Sequence, residues 1–130
     1  MSAYASELDL EGMPEGAVLR TPPWSAEAEQ SVLGGLLLDN DAWDRVGDLL
    51  HEPDFFSSQH RLIFGVIAGL VNANKAADVI TVAISLREAG RDMEAGGMTY
   101  LNALAASVPS AANIRRYAEI VREKALQRAL

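Results

Sequence analysis

Residues 25–39, SAEAEQSVLGGLLLD, decide the fold class. Their apolar residues recur at three- and four-residue spacing, which places them on one side of an α-helix. Ser25 suits the N-cap, and Glu27 and Glu29 suit the first turn as charges that favour the helix dipole. We therefore predict a helix that ends near Asp39. Its apolar stripe consists of Ala28, Val32, Leu33, Leu36 and Leu37.

The same periodicity continues along the chain and predicts further helices at about residues 40–52, 58–72, 81–89 and 98–107, and from 110 or 113 onward. Asn40 and Thr81 are the expected N-caps of the second and fourth helices, and Gly90 is the stop signal of the fourth. Phe55 and Phe56 are expected to fill the core. No segment alternates as a paired strand would. The fold class is therefore predicted to be all-α, a compact bundle of about six helices.

The two ends of the chain differ from this pattern. Residues 1–23 have few large apolar residues in periodic order and contain several Gly and Pro, so we expect a flexible tail. The last helix meets no Gly, Asn or Pro before Leu130, although such residues commonly end helices. We therefore expect the chain to be a piece of a longer protein.

Composition favours a protein partner over nucleic acid. The 130 residues carry a net charge of −7, and only residues 111–130 are basic, with five basic and two acidic residues. There is no cysteine, no basic-then-apolar leader and no apolar run of roughly 18 residues. We therefore expect a cytoplasmic protein without disulfides.

The sequence offers no motif for catalysis, cofactor binding or metal binding. A phosphate-binding loop needs a Gly-Lys pair, and none is present. His60 is interpreted as a half-buried side chain bonded to a neighbouring backbone group or carboxylate. Gly34-Gly35 and Gly96-Gly97 are interpreted as tight packing and a turn. Gly65 and Gly69, four residues apart, are expected to let another helix approach the third helix.

The last helix carries the one basic cluster of the chain, interleaved with Glu119 and Glu123. Three interpretations stay open for it: a contact with nucleic acid, a contact with an acidic partner, or an ordinary solvated face. Its members are Arg115, Arg116, Arg122, Lys124 and Arg128.

Five segments carry a resemblance to a known family. They are Pro22-Pro23 with residues 27–34 (EAEQSVLG), residues 55–64 (FFSSQHRLIF), 78–82 (DVITV), 96–101 (GGMTYL) and 108–121 (VPSAANIRRYAEIV). In this order they resemble the N-terminal domain of the DnaB family of bacterial replicative helicases, over about residues 22–130. Residues 1–21 have no counterpart, and Ala76-Ala77 stands where the family often has Pro-Val.

The resemblance implies a helical head at residues 24–110 and, at residues 111–130, the first helix of a truncated helical hairpin. It also implies a linker and an ATP-driven motor elsewhere in the parent protein, which would use ATP and Mg²⁺. The parent would be a hexamer that encircles single-stranded DNA, travels 5′ to 3′ and receives a DnaG-type primase. A helicase loader is a further partner. This chain alone is expected to be a monomer or dimer without catalytic activity.

The expected partner surface combines the Gly96-Gly97 turn with the basic helix. Tyr offers a large contact area with a polar tip, so Tyr100 is its predicted centre, although a core-facing Tyr100 is an equal alternative. Two other function classes stay open: an autonomous helical nucleic-acid-binding domain, and the helicase-interacting domain of a primase. The predicted surface residues are Gly96, Gly97, Tyr100, Arg115, Arg116, Arg122 and Arg128.

Overall fold

The computed structural model describes residues 21–130, so all but the last three residues of the predicted tail lie outside the described residues. Within this range every regular element is helical, which confirms the all-α prediction. No helix there is long and apolar enough to cross a bilayer. The helices are α1 (Ala26–Leu38), α2 (Trp43–Val46), α3 (Ser58–Asn72), α4 (Val79–Glu88), α5 (Asp92–Ala95), α6 (Gly97–Ala105) and α7 (Ile114–Arg128), with 3₁₀ turns at Asn40–Ala42 and Glu52–Asp54.

Helix α1 lies at the centre of the bundle and packs against α3, α6 and α7. Its predicted apolar stripe is entirely buried, and Ser25 caps it by accepting a 3.1 Å hydrogen bond from the amide of Ala28. A Cβ at Gly34 would collide with the carbonyl oxygen of Leu104, and one at Gly35 would lie 3.0 Å from Ile114. The tight-packing interpretation of this glycine pair is therefore confirmed, since α6 and α7 lie so close to α1 that there is no room for a side chain at either glycine.

The glycines of α3 do not have the role predicted for them. Gly69 is exposed, and a Cβ there would meet no atom within 4 Å. A Cβ at Gly65 would meet the flexible carboxylate of Glu52 and not another helix. The predicted close helix approach at this pair is wrong, because the face of α3 that carries it has no helix packed on it within the described residues.

The second predicted helix is much shorter than expected. Asp39, not Asn40, caps the turn that follows α1, and α2 ends at Val46. The amide of Asn40 instead donates to the carbonyl of Ala77 and accepts from its N–H, at 2.9 and 2.8 Å. This side chain therefore joins the end of α1 to the loop before α4, which is a tertiary role that local periodicity does not predict.

The N-cap of helix α4 lies three residues earlier than expected. Asp78 is its N-cap and forms a capping box with Thr81, in which each side chain accepts a 2.9 Å hydrogen bond from the other residue's amide. The prediction of Thr81 as N-cap is therefore wrong. Gly90 ends this region in a left-handed conformation with φ +70°, as predicted. The single-turn helix α5 that follows was not predicted.

An aromatic cluster fills the space between α2, α3 and the segment before α3. Phe55 is fully buried and lies 4.8 Å from Phe64, which stacks at 5.4 Å on Trp43. Phe56 is only partly buried and packs against Trp24 at 4.9 Å. The core-filling role is therefore confirmed for Phe55, and Phe56 belongs to the rim of the core.

Candidate docking site

A carboxylate and an imidazole form a pair in the core beneath the predicted surface. Oε1 of Glu29, on α1, lies 2.7 Å from Nδ1 of His60, on α3, and the residues are 1% and 2% exposed. The predicted bond between His60 and a carboxylate is confirmed, and its burial is deeper than expected. Glu29 lies in the first turn of α1, as predicted, but its burial and its contact with His60 were not predicted.

Glu29 also holds the segment that leads into α3. Its Oε2 accepts a 2.7 Å hydrogen bond from the amide of Phe56, and its Oε1 accepts a 3.4 Å bond from the amide of Ser57. A buried carboxylate is strongly unfavourable unless hydrogen bonds replace its lost hydration. Here two backbone amides and the imidazole of His60 supply them, so one side chain joins α1, α3 and their connection.

Tyr100 continues this chain of contacts to the surface. Its hydroxyl lies 2.6 Å from Nε2 of His60, and the two rings are inclined by only 12° with centroids 5.9 Å apart. Nδ1 of His60 therefore faces the carboxylate of Glu29 and Nε2 faces the tyrosine hydroxyl, so both ring nitrogens have a polar partner. The side chain is half-buried. Tyr100 therefore combines the two predicted alternatives, with its hydroxyl in the core and part of its surface exposed.

The turn between α5 and α6 is built around Tyr100. Gly96 and Gly97 adopt left-handed conformations with φ of +93° and +69°, which glycine adopts without strain. A Cβ at Gly96 would lie 2.7 Å from Cβ of Tyr100 and 2.6 Å from Nε2 of Gln59. That amide nitrogen donates a 2.8 Å hydrogen bond to the carbonyl of Ala95. Helix α3 therefore holds residues 93–100, hereafter the 93–100 turn, through both Gln59 and His60.

The outer side of the 93–100 turn carries two exposed methionines beside the charged Glu94, whose side chain is 59% exposed. Met93 is 89% exposed and Met98 is 37% exposed. Two open clefts, of 430 and 520 Å³, lie elsewhere on the surface and contain no residue of this turn. Exposed apolar side chains outside these two clefts suit a contact with a protein surface better than capture of a small molecule.

Two of the predicted arginines bind the protein itself. Arg122 donates a 2.7 Å hydrogen bond to Oδ1 of the buried Asp54. Arg128 donates to the carbonyls of Asp54 and Pro23, at 2.7 and 2.9 Å, and its guanidinium lies 5.4 Å from the ring centre of Phe56. We call these contacts of Arg122 and Arg128 the α7 latch, because they hold the end of α7 against the segment before α3.

The other two predicted arginines form exposed contacts. Arg115 donates to the carbonyl of Arg45 at 2.8 Å and to Asp48 at 3.3 Å. Arg116 lies 3.5 Å from the carboxylate of Glu119 on the same helix. Among the described residues, no hydrogen bond or ion pair links the four arginines to the 93–100 turn. The structure therefore brings Gly96, Gly97 and Tyr100 together but does not join them to the basic helix.

The residues that sequence reasoning missed had a detectable signal. Glu29 precedes Leu33 and Leu36 by four and seven residues, and therefore lies on the apolar stripe of α1. His60 has the same relationship to Phe64 and Ile67 on α3. An acid and a base, each placed within a buried stripe, indicate a buried pair. No comparable signal identifies Gln59 or Asp54, whose partners are set by tertiary contacts.

The described residues contain no group of three or more His, Asp or Glu side chains that could hold a metal ion. Comparison with protein families gives the decisive observation: residues 21–123 match the model described as the DnaB-like helicase N terminal domain. The chain belongs to the DnaB-like helicase N-terminal domain family. The resemblance inferred from the five sequence segments is thereby confirmed.

Individual members of the DnaB family agree with this assignment. The replicative DNA helicase DnaB of Buchnera aphidicola subsp. Baizongia pistaciae is 47% identical over 106 residues, which cover 82% of this chain and 23% of that protein. The Haemophilus influenzae helicase is 45% identical over 114 residues, covering 88% and 24%. The chain therefore spans about a quarter of the length of the curated relatives it matches.

Two solved DnaB structures share the fold. The crystal structure of the N-terminal domain of DnaB helicase from Mycobacterium tuberculosis is 44% identical, with a TM-score of 0.81, and the match covers 83% of this chain and 77% of that one. A DnaB-like replicative helicase, whose structure is described together with its interactions with primase, is 26% identical with a TM-score of 0.71. That match covers 81% of this chain and 25% of the other.

Proposed function

We propose that the chain is the assembly and primase-docking domain of a hexameric, ATP-dependent replicative helicase that travels 5′ to 3′ and unwinds duplex DNA at the replication fork. The observation that carries the docking role is the exposed 93–100 turn, held from the core through Tyr100. The family membership and the primase interactions named for one structural relative support the choice of partner. The partner in this proposal is a DnaG-type primase.

The chemistry of the 93–100 turn suits such a contact. Met and Tyr are enriched at the centres of protein interfaces, and Met93, Met98 and Tyr100 provide both types. Met side chains also adapt to an apolar partner surface at little strain, because they are unbranched and flexible. The turn therefore supplies exposed apolar side chains for the contact. The buried pair Glu29–His60 holds the turn from the core through Tyr100.

We assign ATP and Mg²⁺ no site among residues 21–130. The sequence lacks a Gly-Lys pair for a phosphate-binding loop, and the described residues contain no cluster of metal ligands. In the proposal both are bound by the parent helicase outside this chain, and no step of ATP hydrolysis is assigned to the residues described above.

Self-association, a helicase loader and a cytoplasmic location belong to the same proposal. The chain by itself is expected to be a monomer or dimer, and multi-angle light scattering measures this directly. A stable hexamer of the isolated chain would contradict that expectation. In the parent protein the domain would help to arrange neighbouring subunits around single-stranded DNA.

The alternative of an autonomous nucleic-acid-binding domain finds little support in the geometry. Arg115, Arg116, Arg122 and Arg128 all contact acidic side chains or backbone carbonyls of the same molecule. Binding to phosphates would have to compete with these contacts and with the net charge of −7. We expect no salt-dependent binding of single-stranded DNA at physiological salt, and fluorescence anisotropy would measure it.

Calorimetric titration with a DnaG-type primase tests the docking role. Tyr100→Ala and Met93→Ala are expected to weaken binding by roughly ten-fold or more, since central interface residues commonly contribute over 1 kcal/mol each. Leu126→Ala on α7 is the matched control, because Leu126 is 52% exposed and lies outside the turn. Equal affinity for all three variants and the unaltered chain would overturn the docking site.

A further inference from the structure

Glu29, His60 and Tyr100 form a series of polar contacts that links the core to a surface turn. Both Glu29 and His60 are almost fully buried, and burying such groups is unfavourable unless every contact is satisfied. Replacing a buried polar pair with well-packed apolar side chains is often neutral or stabilising. Glu29 has a structural reason in the amides of Phe56 and Ser57, whereas stability alone gives no reason for the contact of His60 with Tyr100.

The polar contacts between Glu29, His60 and Tyr100 fix the orientation of these side chains, which apolar packing would not do. A hydrogen bond weakens steeply when its angle departs from linearity, whereas dispersion contacts tolerate rotation. The imidazole of His60 is held at Nδ1 by Glu29, which leaves Nε2 aimed at one point, 2.6 Å from the hydroxyl of Tyr100. The ring of His60 can therefore specify where the end of the Tyr100 side chain lies.

Apart from the Glu29–His60–Tyr100 contacts, the 93–100 turn is held by the buried Ala95 and by Gln59, which binds the carbonyl of Ala95. Helix α6 begins at Gly97, and its N-cap, Gly96, has no side chain to accept a hydrogen bond from the first turn. A Cβ on Gly96 would lie 2.7 Å from Cβ and 3.2 Å from Cγ of Tyr100. A rotation of Tyr100 about its first side-chain torsion would leave Cβ in place but move the half-buried ring away from Nε2 of His60, and it would therefore change the surface beside Gly96.

We propose that Glu29 and His60 are positioning residues, which hold Tyr100 in one side-chain orientation and thereby set the shape of the surface that the 93–100 turn offers to its partner. The effect on docking rests on the proposed function, whereas the orientation of Tyr100 does not. His60 acts through its Nε2 contact, and Glu29 acts by fixing the orientation of the imidazole.

Nuclear magnetic resonance of the isotope-labelled 130-residue chain tests the positioning directly. Three-bond couplings about the Cα–Cβ bond report the rotamer of residue 100, and ¹⁵N shifts report the imidazole of His60. The unaltered chain should show one rotamer. Tyr100→Phe, which removes only the hydroxyl, and His60→Gln should each show averaging among staggered rotamers. Tyr117→Phe is the control, since Tyr117 is also half-buried and its hydroxyl makes no hydrogen bond within residues 21–130.

Urea unfolding of the same variants separates positioning from a purely structural role. A structural role would lower stability and leave residue 100 in one rotamer, so a single rotamer in Tyr100→Phe would overturn the proposal. Tyr100→Phe is the decisive variant because it keeps the ring and is expected to fold even if His60→Gln does not. Rotamer averaging at residue 100 in Tyr100→Phe, together with a single rotamer at residue 100 in Tyr117→Phe, supports the proposal.

Primase affinity then distinguishes the positioning of Tyr100 from docking at the 93–100 turn. A helical residue has two readily populated rotamers about this bond, so if the ring divides equally between them and one of them binds, affinity should fall about two-fold. Averaged rotamers with an about two-fold weaker complex support both positioning and docking. Averaged rotamers with unchanged primase affinity support positioning and contradict docking at this turn.

Discussion

Nδ1 of His60 lies 2.7 Å from Oε1 of Glu29, and the two side chains are only 3% and 2% exposed. The contact joins α3 to α1 across 31 positions of sequence. Because the same carboxylate also accepts the amide of Phe56, its removal would leave several buried polar groups without partners. We therefore expect removal of Glu29 to lower the stability of the folded domain.

Glu29→Ala is expected to lower the free energy of unfolding by about 2–4 kcal/mol, because it leaves the imidazole of His60 and the amide of Phe56 unsatisfied in the core. Urea unfolding followed by circular dichroism measures this. Glu27→Ala is the matched control, since Glu27 lies in the same first turn but is exposed, and should change stability by less than about 0.5 kcal/mol. Similar losses for the two variants would show that the buried pair contributes little.

Gly34→Ala and Gly69→Ala are expected to have opposite effects, although both residues lie within helices. A Cβ at Gly34 meets backbone of α6, so the helices must separate and stability should fall by about 1–3 kcal/mol. A Cβ at Gly69 meets open space, so the better helix propensity of Ala should raise stability by about 0.5–1 kcal/mol. Thermal unfolding of both variants checks the signs. Stabilisation by Gly34→Ala would contradict the close approach of α6 to α1.

Gly96→Ala should disturb the 93–100 turn more than Gly90→Ala does. Both glycines have positive φ, so each substitution carries a backbone penalty of about 1–2 kcal/mol. Only at Gly96 would the new Cβ also meet Tyr100 and Gln59, whereas at Gly90 it meets nothing within 4 Å. Amide shifts of residues 93–100 and primase titration should therefore respond to Gly96→Ala alone. Equal responses to the two substitutions would mean that backbone strain explains both.

The α7 latch should contribute more to stability than the exposed ion pairs of the same helix. Arg122→Ala leaves the carboxylate of Asp54, which is 8% exposed, with only the amide of His51 as a partner, so a loss of about 1–3 kcal/mol is expected. Arg116→Ala breaks an exposed pair with Glu119 and should cost less than about 0.5 kcal/mol. Urea unfolding at low and high salt compares them. The ranking would be refuted if Arg122→Ala lowered the free energy of unfolding as little as Arg116→Ala does, with the same dependence on salt.

The sequence predicted the helices well where one segment carried its own signal. The stripe of α1 and its Ser25 cap, the ends of α3 and the stop at Gly90 all depend on residues within a few positions of one another. The second helix and the start of α4 were mispredicted for different reasons, one tertiary and one local. Asn40 and Thr81 are both good caps locally, but Asn40 binds Ala77 across 37 positions, and Asp78 is the stronger cap beside Thr81. The division of the chain at residues 110 and 111 stays a prediction.

The sequence by itself therefore determined the all-α fold class and the family, because helical periodicity, caps and ordered short segments are properties of neighbouring residues. Only the tertiary structure decided which groups share a site. It placed Tyr100 on His60 across 40 positions and Arg122 on Asp54 across 68. Such pairs depend on how helices stack, since a shift of one helix by a single turn, about 5.4 Å, exceeds the length of any hydrogen bond.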